Sequence, residues 1–179
     1  MNIIFASIGI AAALLAVVFA AAIFKLDQKN LTFFEKLCRN KNAGIIIGFP
    51  LICWCVPHTQ AIIFDWALPY LWYAAVILSV LSYFYLDYLC ARAIGGAFII
   101  GAYCFVHWAF EFNAPLAAGM TVMAWLWGIA GITISAKPSL LRDYFRKCAA
   151  NGKFKIASYV FFALTVIFFM ISSIGVLLK

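Results

Sequence analysis

Charged side chains are scarce in this chain. Asp, Glu, Lys and Arg make up 11% of its 179 residues, and six residues are acidic. Apolar residues reach 68%, and the mean hydropathy is +1.06. A soluble globular domain carries about 25% charged residues. The scarcity of charge therefore excludes a soluble domain and predicts a protein whose solvent is a lipid bilayer.

The sequence also lacks the short motifs that reveal common reactions. It contains no Gly-rich phosphate loop, no nucleophile elbow and no H-E-x-x-H helix. Neither basic connection exceeds about 20 residues, which is too short to fold as a soluble domain. We therefore expect one transmembrane domain over residues 1–179 with a non-enzymatic role.

Long apolar runs are abundant instead. A spanning helix needs roughly 20 predominantly apolar residues, and the chain contains six such segments separated by charged or helix-breaking residues. Their approximate bounds are 3–24, 44–64, 67–87, 92–112, 115–135 and 157–178. The sequence predicts an all-α bundle of six transmembrane helices. The third connection is expected near residues 88–91, and a turn at Gly95-Gly96 is the alternative.

Basic residues are confined to alternate connections. Eleven of the 13 Lys and Arg residues lie within residues 25–41 and 137–155, Arg92 marks the third connection, and the second and fourth connections contain none. Lys and Arg near helix ends are retained in the cytoplasm. Both termini are therefore expected outside, in a bacterial inner membrane protein.

Each basic stretch is expected to contain an amphipathic helix on the membrane surface, over residues 32–41 and 139–150. Thr32 and Glu35 form a T-x-x-E pattern, which is typical of a capping box. Asn151-Gly152 indicates a left-handed stop for the second helix.

The cations of these two helices are expected to bind anionic lipid headgroups or a cytoplasmic protein partner. Nucleic acid is not an expected partner, because the basic residues flank apolar helices and belong to no recognition fold. The six cations of the predicted lipid or partner surface are Lys36, Arg39, Lys41, Arg142, Arg146 and Lys147.

Small residues indicate where membrane helices pack closely. Three stripes have the helical spacing: Gly9, Ala13, Ala16 and Ala20; then Ala93, Ala97 and Gly101; then Ala124, Gly128, Gly131 and Ser135. We expect the first, fourth and fifth spans to form the centre of the bundle. The sixth span, with Phe161, Phe162, Phe168 and Phe169, is expected to be a wall facing lipid or a partner.

The second span contains Pro50, which leaves the Ile46 carbonyl without its normal donor. Transporters use broken helices to expose backbone groups to a substrate, although membrane helices also tolerate proline without a function. A substrate path at Pro50 and Ile46, in a transporter of small solutes or ions, is therefore an alternative function.

Polar groups are expected to converge at the outer end of the bundle. His58 follows the second span, and Cys104, His107 and Glu111 share one face of the fourth. Imidazole and thiolate suit zinc or copper, and two histidines can ligate a haem iron. The structural explanation of this pattern is that the His and Glu side chains lie at the membrane interface and the thiols are inert. The functional alternative is a membrane anchor that binds a metal or haem for redox chemistry.

No motif decides among these alternatives. The leading hypothesis is a non-enzymatic scaffold or accessory subunit of a membrane complex, because most spans lack the ionisable groups that transport requires. The expected protein partner is another membrane protein or a second copy of the chain.

Overall fold

A computed structural model describes residues 2–59 and 65–178 of the chain. These ranges contain eight α-helices, one short 3-10 helix over Asp65–Tyr70, and no strand. The α-helices are α1 (Asn2–Phe24), α2 (Leu31–Arg39), α3 (Lys41–Thr59), α4 (Leu71–Tyr85), α5 (Leu89–Glu111), α6 (Ala117–Ala136), α7 (Ser139–Ala150) and α8 (Gly152–Leu177).

Within the described ranges, four helices are long and apolar enough to cross a membrane, namely α3, α5, α6 and α8. Two further apolar helical segments, Ala12–Phe24 of α1 and all of α4, are shorter. The chain is thus all-helical, as predicted, and its composition and helix lengths are those of an integral membrane protein.

A helix occupies each segment that the sequence predicts to span. In the second predicted span, 44–64, helix α3 ends at Thr59, and residues 60–64 lie outside the described residues. The third predicted span, 67–87, begins within the 3-10 helix, which contains Pro69, and continues as α4. The chain reverses at residues 86–88, where Tyr88 adopts a left-handed conformation with φ 56°. Gly95 and Gly96 lie inside α5, so the alternative turn there is wrong.

Two predicted helix-end structures, the capping box of α2 and the left-handed stop after α7, are wrong. Helix α2 begins at Leu31 with Asn30 as its N-cap residue and no side-chain cap, so Thr32 lies within the first turn and does not form the capping box. Asn151 is extended, with φ −128°, rather than left-handed. Its side chain instead accepts hydrogen bonds from the backbone of Lys153 and Phe154 and caps α8.

Helices α5 and α6 pack closely against each other. A Cβ atom added to Gly131 would lie 2.6 Å from the Gly95 carbonyl oxygen, and one added to Gly128 would lie 3.2 Å from Cβ of Ala102. The third small-residue stripe is therefore confirmed as a packing stripe. The second stripe meets a different neighbour, since its Ala93 packs against Gly48 of α3, whereas Gly95 and Ala102 of the same helix face α6.

Helix α1 packs along α8. Gly9 lies against the Ser173 side chain, and Ala13 and Ala16 are fully buried. On α8, Phe162 and Phe169 are also buried, with Phe169 0% exposed. The predicted wall is therefore wrong for Phe162 and Phe169, which pack on rings of α1, α5 and α6, whereas Phe161 and Phe168 are half-buried.

The remaining helices extend this core on one side. Helix α3 packs on α5, and α4 packs chiefly on α3. Helix α4 is peripheral, with Ala75 and Ser79 as its buried residues. Helices α2 and α7 lie across one end of the bundle, where they cover a core cluster that includes Ile23, Trp127 and Phe162.

Candidate functional site

The two basic connections meet at one end of the bundle. The rings of Phe34 on α2 and Phe145 on α7 have centroids 5.4 Å apart. Beside them, Nε of Arg146 donates a hydrogen bond of 2.5 Å to Oε1 of Glu35. We refer to α2 and α7 together as the basic cap.

Three cations at this end bind the carbonyl ends of helices. Lys41, at the start of α3, donates to the Phe84 carbonyl near the end of α4 at 3.3 Å. Arg92, near the start of α5, donates to the Ser135 carbonyl near the end of α6 at 2.7 Å. The last carbonyls of a helix lack backbone donors and carry partial negative charge. These cations therefore hold antiparallel neighbours together.

Lys155 makes the third contact of this kind. Its Nζ atom lies 3.0 Å from the carbonyl oxygens of both Phe24, the last residue of α1, and Leu26, two residues beyond it. It also lies 3.7 Å from a carboxylate oxygen of Asp27. Sequence reasoning treated Arg92 and Lys155 as topology signals and missed this role. The sequence did contain a signal for this role: each of these cations lies in the first turns of a helix that begins just after the chain reverses direction.

The six cations of the predicted surface divide into two groups. Four are engaged within the protein: Arg39 donates to the Tyr88 hydroxyl, Lys41 to the Phe84 carbonyl, Arg142 to Asp143 and Arg146 to Glu35. Lys36 and Lys147 are exposed, and neither forms an ion pair or side-chain hydrogen bond with another described residue. The cationic surface that is free to bind is therefore smaller than the sequence suggests.

The electrostatics of the cap fix the charge state of its residues. The hydrogen bond from Arg146 lowers the pKa of Glu35, which keeps this carboxylate ionised. Burial raises the pKa of Cys38 to about 11, and burial also raises the pKa of Tyr144. A neutral thiol is a poor nucleophile, so Cys38 acts as a small apolar side chain in this position.

At the opposite end, aromatic and imidazole rings form a row between α3 and α5. His58 stacks on Trp54, and its ring lies 6.1 Å from the ring of Tyr103. Tyr103 in turn stacks on His107 at 6.1 Å, with an angle of 3° between the ring planes. The predicted convergence of His58 and His107 thus occurs through a shared contact with Tyr103, which sequence reasoning did not single out.

Glu111 lies one turn beyond His107 on α5. Its Oε2 atom is 3.7 Å from Nε2 of His107, and the two side chains are 40% and 62% exposed. This distance permits an ion pair when His107 is protonated, but it exceeds a hydrogen bond. The Cys104 thiol lies deeper, beside Trp54 and Cys55.

Among the described residues, no three His, Cys, Asp or Glu side chains form a group that can hold a metal ion. All six cysteines are free. The metal site predicted at His58, His107, Cys104 and Glu111 therefore gains no support from this arrangement and stays a prediction.

The predicted substrate path lies on the outside of α3. The helix continues through both Pro50 and Pro57, so the chain is not broken there. Pro50 is exposed, and the Ile46 side chain is 72% exposed. The transport alternative at these residues stays a prediction, with a path that would face away from the neighbouring helices.

Comparisons with protein families, with curated proteins and with solved structures find no match to this chain. Its function must therefore be argued from its own residues and their geometry.

Proposed function

We propose that this chain is a six-span integral protein of a bacterial inner membrane, with the basic cap at the cytoplasmic surface and both termini outside. Four helices have the length and composition to span. Helix α1 has 23 residues, which corresponds to about 35 Å at 1.5 Å per residue. Helix α4 and the 3-10 helix before it together cover residues 65–85. Helix α1 and this combined segment are therefore each long enough to supply a further span.

The orientation follows from the cap. Because α2 and α7 meet at one end, the cations of both connections lie on the same side of the bilayer. Lys and Arg near helix ends stay in the cytoplasm, and the anionic cytoplasmic leaflet attracts them. Exposed apolar side chains such as Leu15, Ile77 and Ile167 then face lipid.

The proposed activity is that of a scaffold or accessory subunit without catalysis, which holds an acidic cytoplasmic partner against the membrane. The observation that carries this proposal is the union of α2 and α7 through Glu35 and Arg146. This contact joins two connections that are distant in the chain into one continuous surface. Lys36 and Lys147 are exposed on that surface and remain available to carboxylates of a partner.

The interior of the bundle supports the same reading. In the described part of the chain, the buried polar side chains are Ser and Thr residues. Several bond to a carbonyl of their own helix, as Ser79 does to Ala75 and Thr165 to Phe161. Conduction and transport of ions require ionisable or polar groups along a path, and single hydroxyl groups bonded in this way do not supply one.

Neutralising the two exposed lysines tests this function. The Lys36→Gln/Lys147→Gln variant removes charge without removing a contact within the protein, and Lys36→Arg/Lys147→Arg retains the charge as the matched control. We expect a stoichiometric partner to co-purify in mild detergent with the parent and the Arg variant, and to be lost from the Gln variant. Purification without any stoichiometric partner, or retention by the Gln variant, would overturn the proposal.

A second candidate is the metal- or haem-binding redox anchor. The observation in its favour is that α3 and α5 bring His58 and His107 to the same tyrosine ring. The purified protein should then contain a transition metal or show a haem absorption band, and His58→Ala and His107→Ala should each reduce it. A metal-free, colourless protein would dispose of this candidate.

A further inference from the structure

An apolar cavity of about 260 Å³ lies beneath α7, inside the basic end of the bundle. Aromatic and aliphatic side chains from α1, α5, α6, α7 and α8 form its wall: Phe19, Phe98, Trp127, Ala130, Thr133, Ile134, Leu140, Leu141, Tyr144, Phe145, Phe161 and Phe162. An apolar cavity of about 150 Å³ is already large enough to bind benzene. This one can therefore hold a longer apolar group.

The cavity lies between two closely packed helix pairs. Helices α5 and α6 form one pair, helices α1 and α8 form the other, and α6 packs much less extensively on α8 than on α5. Large rings line the space between the pairs, including Phe98 against Trp127 at 5.0 Å and Phe19 stacked on Phe162 at 6.0 Å. Protein interiors are normally packed to high density, so an apolar occupant would stabilise this end of the bundle.

The cavity has a mouth at the level of the basic cap. Two of its lining residues, Thr133 and Leu140, are exposed, and they come from the end of α6 and the start of α7. Between them in the chain lies Lys137, which is also exposed. An apolar interior beneath a cationic rim is complementary to a molecule with a hydrocarbon chain and an anionic head.

We propose that this cavity binds one acyl chain of an anionic phospholipid, with the headgroup phosphate held at Lys137. The chain lies among Phe19, Phe98 and Phe162. The proposal rests on the membrane location proposed above, but it does not depend on the scaffold activity.

The probe is phosphatidylglycerol, compared with phosphatidylcholine that carries the same acyl chains. Delipidated protein in detergent is mixed with each lipid, and bound lipid is counted by native mass spectrometry. We expect one tightly bound phosphatidylglycerol per chain and weaker binding of phosphatidylcholine. Equal binding of the two lipids, or binding of neither, would overturn the proposal.

Two variants locate the lipid. Thr133→Phe obstructs the exposed mouth and should abolish the tightly bound lipid, whereas Val122→Phe changes an exposed residue of the same helix outside the cavity wall and should leave it bound. Lys137→Gln should reduce the preference for phosphatidylglycerol about fivefold, which is the contribution expected of one cation near an anionic headgroup. Retention of the lipid by Thr133→Phe would show that the cavity is not its site. Failure of these lipid experiments in a protein whose membrane topology is as proposed would refute only this inference.

Discussion

Arg146 donates a hydrogen bond to Glu35 across 111 residues of sequence. This contact joins α7 to α2, and it therefore ties together the two connections that contain most of the positive charge. The side chains are 51% and 25% exposed, so the pair lies at the edge of the cap rather than in its core. The apolar contact between Phe34 and Phe145 lies beside it.

Reversing the charges of this pair should reveal its contribution. Glu35→Arg should lower the melting temperature slightly, because a partly exposed ion pair stabilises little but its replacement by two cations adds repulsion. The double variant Glu35→Arg/Arg146→Glu should recover the loss in thermal unfolding in detergent. No recovery in the double variant would mean that the two residues do not interact.

The same pair predicts a dependence on pH. Because Arg146 lowers the pKa of Glu35 in the folded state, the stabilisation is complete above the unfolded value of about 4.3. This stabilisation is lost as the pH falls through the lower pKa that Glu35 has in the folded protein. The difference in melting temperature between the parent and Glu35→Gln should therefore be present at pH 7 and vanish in acid. A difference in melting temperature that does not shrink as the pH is lowered would contradict this assignment.

Two glycines of α5 and α6 should respond oppositely to the same substitution. Gly131→Ala forces a Cβ atom to within 2.6 Å of a backbone oxygen, and overpacking of this kind costs about 1–3 kcal/mol. Gly96→Ala is the matched control, since an added Cβ there meets nothing within 4 Å and alanine favours the helix. Thermal unfolding should show a loss for Gly131→Ala and no loss for Gly96→Ala. Equal behaviour would mean that α5 and α6 are not in close contact.

Removing the cation at the end of α1 should loosen the junction between α1 and α8. Lys155 donates to two carbonyls at 3.0 Å and is 21% exposed, so Lys155→Met should destabilise the protein by roughly 1–2 kcal/mol. Lys153→Met, at an exposed lysine two residues earlier, should be close to neutral. The comparison is again made by thermal unfolding, and two indistinguishable variants would argue against the capping role.

Cys38 should resist alkylation. Its pKa is raised from 9.0 to about 11 by burial, which lowers the thiolate fraction at pH 8 about a hundredfold. In a chain with no other cysteine, Cys38 should react with iodoacetamide far more slowly than a cysteine at exposed position 36 of the same helix. Denaturant should remove the difference. Equal rates in the folded protein would show that α2 does not bury Cys38.

The helices could be predicted from sequence because each required only a local signal. Apolar runs of about 20 residues separated by charge identify the long helices, and an apolar face opposite a cationic face identifies α2 and α7. The helix ends were harder, since Thr32 fits the capping pattern but Asn30 occupies the N-cap position. The competing conformations at a helix end differ by about 1 kcal/mol, which sequence alone does not resolve.

The packing could be predicted only in part. Gly128 and Gly131 face a neighbour, as expected, but Gly95 rather than Ala93 meets them, because small residues occur on more than one face of α5. Phe169 was expected outside and is buried. A phenylalanine has no preference between lipid and a core of similar polarity, so its burial depends on its neighbours from other helices, here the rings of Phe105 and Trp127. The contact of His58 with Tyr103 likewise required the pairing of α3 with α5, whereas Tyr103 and His107 are one turn apart on α5 itself.

The central claim is that both basic connections face the cytoplasm in a protein that spans the membrane six times. The most direct test introduces one cysteine at a time into a cysteine-free chain, at Lys36 in α2, at Lys147 in α7 and at Ala118 at the opposite end of the bundle. Intact cells are then treated with a maleimide that cannot cross the membrane. We expect labelling at position 118 and protection at positions 36 and 147 until the membrane is permeabilised. Labelling of position 36 or 147 on intact cells would contradict the account.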